Sequence, residues 1–472
     1  MPEKLGQVSF PITCAPAVQA QFNQAMALLH SFAYGPAEKA FEGVATADPQ
    51  CGMAHWGVAM TYFHPVWSPA VPVATFAIGQ KAIQRAAELG AKSERERGFI
   101  HALGLIYADS NYSTYPARAL SYERAMGAIA TANAKDVESQ VLYALALLAN
   151  ASPADKTHGW QKQAVDLLEP LYSVYPNHPG IAHYLIHACD SEELAKRGLP
   201  AARAYAQIAP SAPHALHMPS HIFTRLGLWE DSIQSNIASR DSAREHSDLQ
   251  GQLHAMDYLV YAYLQLGRDA DARGVIDELK SIQKANASNP IVTYPAVAMP
   301  VRYVVERGQW AEAASIVPPQ KGQPEVVAIA VWAKGLGLAR TGHLAEARVE
   351  AGRLREIEHQ LRASGDSYWS AQTGVLAGEI MAWSAQAEGK SVEAVSLLRA
   401  AADQEDAVEK LPVTPGPIVP AREQLGSLLL QQKQTAAALK EFHTALVDAP
   451  NRRGSLQGVA QASKLAARSS LR

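Results

Sequence analysis

The chain has 472 residues, 48% of them hydrophobic and 18% charged, with a formal net charge of −3. That is the composition of a globular protein with ample material for a core. The near-neutral balance, without a long basic run, argues against a nucleic-acid partner, and no stretch reaches the roughly 18 uninterrupted apolar residues of a membrane span. The opening residues, Met1 to Gln7, lack the apolar core of a secretory signal, so the chain as written is expected in the cytoplasm. An export signal removed from it would place the protein in the periplasm instead. Cys14, Cys51 and Cys189 form no CxxC pair, which leaves a zinc knuckle unsupported. Cys14 and Cys51 flank the first helical pair and could be bonded; reduced thiols are the expectation for a cytosolic protein.

Alanine and leucine abound, and strand-like alternation is scarce, which predicts an all-α chain. Near the start, Ala37, Phe41 and Val44 follow helical spacing and Pro49 closes the run. Prolines then interrupt the register over residues 63–78, and residues 152–158 read as an inserted loop. Ala164, Leu168, Leu171 and Pro176 restore the opening pattern. From Gly227 onward one feature recurs at intervals of about 34 to 47 residues: a glycine, then an acidic residue followed by a small one. Ser232 follows Gly227, Ala272 follows Gly267, Ala313 follows Gly308, Ala347 follows Gly342 and Ala394 follows Gly389. A glycine closes a helix in the left-handed conformation at little cost, and the small residue lets two antiparallel helices approach closely. Residues 410–420, with Pro412, Pro415, Pro417 and Pro420, cannot be helical. The last unit shows Leu425, Gly426, Ala438, Phe442, Ala445 and Pro450.

This pattern resembles the tetratricopeptide repeat, a helix-turn-helix unit of about 34 residues. The resemblance covers most of the chain. It implies a right-handed α-α superhelix, a solenoid of tetratricopeptide type, and no stretch reads as a flexible linker, so a single solenoid over residues 1–472 is expected. The irregular segments near 63–78, 152–158 and 410–420 are expected to gather on one rim of the groove, where at least one would cover an end of it.

Histidines concentrate between Pro179 and Tyr261. His183, His187 and Asp190 form one set, His214, His217 and His221 a second, and His254, Asp257 and Tyr261 a third. Within each set the residues fall on a single stripe of an α-helix. The repeat register agrees with the spacing. It implies that His183 and His187 take the fifth and ninth positions of a first helix, positions that face the groove in this family. His217 and His221 take the same positions in the next repeat, and His214 its second position. His254, Asp257 and Tyr261 take the second, fifth and ninth of the repeat after that. Neighbouring first helices pack about 8–10 Å apart, so imidazoles from two of them reach a common point.

Neutral imidazole suits copper, zinc, nickel and iron rather than calcium or magnesium. The metal ligands read from the sequence are His183, His187, His214, His217 and His221. Asp190 and Asp257 could add oxygen ligands or orient a ligating histidine, with His254 and Tyr261 beside them. Further along the groove lie Arg302, Glu379 and Glu423, which could meet a substrate; Arg302 could equally pair with Glu379, and Glu423 could serve a helix N-terminus. His178, His64 and His101 are weaker metal candidates, and His343, His359 and His443 read as surface or packing residues. The blocks Asn177 to His187 and His214 to Phe223, with His30 and the Arg422 to Gly426 run, resemble a little-characterised group of bacterial tetratricopeptide proteins. That resemblance implies no stated activity; members of the group commonly carry an export signal.

Two readings follow. In one, a transition metal (copper, zinc or iron) sits in the groove of a metalloenzyme that oxidises or hydrolyses a small molecule. In the other, a non-enzymatic scaffold grips a peptide or protein partner and the histidines are polar recognition groups.

Overall fold

The computed structural model describes residues 3–66, 71–282 and 290–469. Among these residues there is no strand, and no helix is long and apolar enough to cross a membrane. The fold is all-α. Helices that follow one another in the chain pack together, and the chain divides into two compact units, Met1–Ile222 and Phe223–Arg472.

In the first unit the helices are α1 (Gln19–His30), α2 (Tyr34–Ala47), α3 (Gly52–Met60), α4 (Val73–Leu89), α5 (Glu94–Ile106), α6 (Tyr115–Ala132), α7 (Val137–Leu148), α8 (Gly159–Val174), α9 (Pro179–Ala188), α10 (Ala195–Ile208) and α11 (Pro213–His217). The boundary falls within α12 (Pro219–Arg225). The second unit continues with α13 (Trp229–Glu245), α14 (Leu249–Gln265), α15 (Asp269–Ser281), α16 (Pro290–Glu306), α17 (Trp310–Ala314), α18 (Pro324–Thr341), α19 (Leu344–Ala363), α20 (Ser367–Ala387), α21 (Ser391–Asp406), α22 (Ala421–Gln431), α23 (Thr435–Asp448) and α24 (Arg453–Ser469). Within each unit successive helices pack on one another, and alternate helices such as α7 and α9, or α18 and α20, also touch.

The repeat signature has a direct physical counterpart. All five hinge glycines have positive φ, from 63° at Gly308 to 88° at Gly342, a region in which a side chain is strained. Gly227 is the tightest: a Cβ there would stand 2.0 Å from the Pro450 carbonyl oxygen. The small residues that follow the glycines, Ser232, Ala272, Ala313, Ala347 and Ala394, are fully buried. Any larger side chain would push the hairpin apart. Gly426 is held for the same reason, since a Cβ would meet the Phe442 ring at 2.8 Å. Helix starts are capped where the sequence offers an oxygen: Asp136, Asp248 and Asp366 accept the backbone N–H groups of Ser139, Gly251 and Trp369.

Two expectations change. Cys14 and Cys51 are bonded, with Cα atoms 5.1 Å apart, where reduced thiols were expected. The extended N-terminal segment lies back along the unit, and Phe10 packs on Phe22, Trp56 and Phe99. That docking carries Cys14 to the start of α3. The irregular stretch expected over residues 63–78 ends early, because α4 begins at Val73, directly after Pro72. A proline just before or at the first helical position removes a donor the helix does not use. Residues 67–70 of that stretch lie outside the described residues. Residues 152–158 form turns, and residues 410–420 carry no helix.

Candidate metal centre

Helix α9 sets the site. Pro179 occupies its first turn, and the His178 ring accepts the Ile181 N–H at 3.3 Å as N-cap. Every residue from Pro179 to Ala188 is buried, so the helix runs through the interior of the first unit. His183 and His187, one turn apart, have ring centroids separated by 4.7 Å. His214, from α11, brings its ring to 5.0 Å from His183 and 6.3 Å from His187. One ligand atom from each of these three imidazoles can be chosen so that all lie within 4.8 Å of one another.

His217 and His221 adjoin this trio. The stripe expected on one helix is divided between two, because Pro219 opens α12 directly after α11. The i, i+4 relation survives, and the two Nε2 atoms stand 3.0 Å apart. His221 lies 6.1 Å from His187, and His217 lies 6.2 Å from His214, centroid to centroid. All five sequence-predicted histidines are thus brought together in the first unit. His183 and His221 are wholly buried, and His217 and His187 nearly so.

The hydrogen bonds fix which nitrogens face inward. His183 donates its Nδ1–H to the His30 carbonyl at 2.6 Å. Its Nε2 is buried and has no partner in the protein. His221 donates its Nδ1–H to Asp190 Oδ2 at 2.9 Å, which leaves its Nε2 lone pair toward His217. A ligating histidine commonly gives its distal N–H to a carboxylate or a carbonyl in this way, and the contact raises ligand basicity. Burial, with His187 alongside, holds His183 well below its ordinary pKa. Burial, with His183 alongside, does the same to His214. Both are therefore neutral near pH 7, the state that ligation requires.

The surrounding shell is aromatic. The Phe32 ring packs at 4.4 Å from His183, 5.5 Å from His187 and 5.9 Å from His214, and Tyr205 stacks on His183 at 5.2 Å. Phe32 holds φ at 53°. A bulky residue in the left-handed region is strained, and here the turn places both the Phe32 ring and the His30 carbonyl against the histidines. Beneath that turn, Glu138 accepts from His30 Nε2 at 2.9 Å and from His178 Nε2 at 3.0 Å. Burial alone would raise the Glu138 carboxyl, but the two imidazoles outweigh it and hold it at about 2. Tyr184 Oη completes His30 by donating to its Nδ1 at 3.0 Å. His30, Glu138 and His178 are thus mutually satisfied, in contrast to His183. Of the other weaker candidates, His64 donates to the Thr61 carbonyl and stacks on Tyr34.

The remaining predicted residues lie in the second unit. His254 packs its ring on Tyr258. Asp257 and Arg302 are fully buried and pair at 3.5 Å, so Arg302 takes Asp257 rather than Glu379 as its partner. Arg302 also donates to the carbonyls of Gly416 and Pro417, both at 3.3 Å, and lies 4.7 Å from the centre of the Tyr261 ring. Glu423 accepts from Arg452 Nε at 2.9 Å and from Ser455 Oγ at 2.6 Å. Arg452 is wholly buried; it also grips both carboxylate oxygens of Glu306 at 2.8 Å, the Ile418 carbonyl at 3.1 Å and Tyr261 Oη at 3.3 Å. Tyr258 Oη donates to the carbonyls of Pro412 and Thr414 at 3.4 Å. Five predicted groove positions of this unit, from Asp257 to Glu423, therefore work inside the protein, and one of them, Arg302, joins Tyr258 and Arg452 in holding residues 412–418 by the backbone. Glu379 accepts from Trp332 Nε1 at 2.6 Å.

No protein-family model matches the chain, and no curated protein matches it. Solved structures do align over most of its length. Yeast Tom70 is 13% identical, with 96% of each chain covered and a TM-score of 0.40. The P58(IPK) TPR domain is 13% identical, covering 97% of this chain and 100% of its own, with a TM-score of 0.25. A monomeric mutant of IFIT1 with m7Gppp-AAAA is 12% identical over 88% of this chain and 90% of its own, at 0.39. No functional reading rests on these likenesses.

Sequence reasoning missed four residues that matter to the two clusters. Phe32 and Glu138 carry no periodic signal that separates them from ordinary core. His30 stood in a recognised block, but its contribution to His183 is a backbone carbonyl, which spacing does not reveal. Arg452 lies just before α24, beyond the last repeat signature, although a charged residue directly after Pro450 could have been weighed as a buried partner for Glu423.

Proposed function

We propose that the first unit is a metal-binding unit in which His183, His187 and His214 hold a transition-metal ion, with His217 and His221 adjoining. The protein then acts as a metalloenzyme on a small molecule, by oxidation or hydrolysis. The observation that carries this reading is the His183 Nε2 atom, buried and without a protein partner, in a trio whose ligand atoms cluster within 4.8 Å. Burying such a nitrogen unpaired costs about 1–3 kcal/mol, and a metal ion offsets that cost. Nitrogen ligands alone favour copper, zinc or iron. Such an ion supplies Lewis-acid or redox chemistry when bound. The protein's own residues orient the ligands through His30 and Asp190, and the Phe32 and Tyr205 rings exclude water.

The enclosure of the histidines favours a small molecule over an extended peptide, which would need an open face. The scaffold alternative is further weakened in the second unit, where Arg302, Arg452 and Tyr258 are taken up by residues 412–418. The Cys14–Cys51 bond favours an oxidising compartment, and so the periplasm over the cytoplasm.

The test is metal analysis of the full chain purified without chelator or nickel resin. Near-stoichiometric copper, zinc or iron is expected, and the His183→Ala/His187→Ala variant should lose it while keeping its helical circular dichroism, since alanine favours helix. A metal-free protein that takes up none of the three on dialysis would overturn the proposal.

A further inference from the structure

We infer that the histidine cluster holds two metal ions side by side, one on His183, His187 and His214 and a second on His217 and His221. This rests on the metal-binding reading above. The nitrogens divide into two sets. Within the sets, ring centroids of His183 and His187 are 4.7 Å apart, of His183 and His214 5.0 Å, of His187 and His214 6.3 Å, and of His217 and His221 5.0 Å. Between the sets, the rings meet at 6.1 and 6.2 Å. It is the ligand atoms rather than the ring centres that separate the sets: those of His183, His187 and His214 gather within 4.8 Å of one another, and His217 and His221 belong to a different gathering.

The two Nε2 atoms of the pair are hydrogen-bonded to each other, a contact that an ion would replace by taking both as adjacent ligands. With metal–nitrogen bonds of about 2.0–2.1 Å, nitrogens 3.0 Å apart subtend an angle of roughly 90–100° at the ion. The Asp190 carboxylate, itself nearly buried, fixes the His221 ring so that this nitrogen carries the lone pair. The trio has its own orienting contact, the His30 carbonyl on His183. Each set thus has a separate contact that orients one of its imidazoles. Metal pairs in enzymes stand about 3.5–4 Å apart, a separation that neighbouring sets of ligands readily span. Two dications among neutral imidazoles also call for an anion between them. The ligand such a centre takes is therefore a small oxygen donor such as hydroxide.

The experiment uses the full chain, stripped of metal and titrated with Cu(II). Two equivalents per chain are expected, with an electron paramagnetic resonance signal well below one spin per copper because the neighbouring ions couple. His217→Gln/His221→Gln should bind one equivalent and show an uncoupled signal close to one spin per copper. His183→Gln/His187→Gln should leave one equivalent on the pair. Saturation of the unmodified protein at one equivalent, with a full spin count, overturns the two-ion inference and leaves the metal-binding proposal standing. That measurement needs no variant to fold. No uptake of Cu(II) at all overturns both.

Discussion

The two units bury polar side chains to opposite ends. In the second unit, Arg302 and Arg452 are as deeply buried as any residue in the chain, and each is surrounded by acceptors from its own unit: Asp257, Glu306, Glu423, Tyr261 and the carbonyls of residues 416–418. In the first unit, neutral imidazoles crowd together, and His183 keeps an inward nitrogen that no protein group answers. A buried charge must be paired or the fold fails, so opposite charges facing one another, as Arg302 faces Asp257 at 3.5 Å and Arg452 faces Glu306 and Glu423, are the signature of structure. An unanswered nitrogen beside others of its kind is a signature of a ligand still to be bound.

The sharpest way to break the comparison is to remove Arg452. Arg452→Met strands Glu306 and Glu423 as buried carboxylates without their partner. Breaking such a pair costs about 3–5 kcal/mol, and urea unfolding should show a loss of that order with metal uptake unchanged. A loss under about 1 kcal/mol, the range of exposed pairs, would mean that the second unit's network is not structural. A smaller effect is expected from Asp190→Asn in the first unit. Replacing a carboxylate that orients a ligating histidine lowers metal affinity about 10–100-fold; competition with a chromophoric chelator would measure it. If affinity stays within twofold, Asp190 is a packing partner and the contrast between the units weakens.

The last contrast concerns acidity. Burial, helped by the neighbouring Glu405, pushes the Glu379 carboxyl well above its ordinary range, and burial, against the Ala421 N–H and with Asp406 and Asp448 nearby, pushes Glu405 up to about 8. The folded protein therefore holds protons there that the unfolded chain releases. By linkage, stability is full at or below the ordinary carboxylate range and falls as pH rises from there toward about 8. Chemical denaturation across pH 5 to 8 should show this decline, and Glu405→Gln should flatten it. A stability that rises with pH over this range would show that the two carboxyls are ionised when buried.

Much of the architecture was legible in the sequence. The five hinge glycines and the small residues after them could be read as hairpin turns because positive φ and close helix approach each demand a particular residue type. The five histidines could be grouped because helical periodicity alone puts residues at i and i+4 on one face. Less legible were the contributions that depend on long-range docking. The Phe32 turn, the His30 carbonyl and Glu138 come from segments far from α9 in the chain, and none has a periodicity of its own.

By itself, then, the sequence determined the helix hairpins and the histidine stripes, since both follow from local backbone sterics and from a repeat of 3.6 residues. Only the tertiary structure decided which polar groups would be satisfied. The same register that made Asp257, Arg302 and Glu423 look like groove residues set Asp257 against Arg302, Arg302 against loop carbonyls more than a hundred residues away, and Glu423 against Arg452 and Ser455. It left His183 aimed at its fellow histidines. Whether a buried polar atom finds a partner depends on distances between segments that no local pattern encodes.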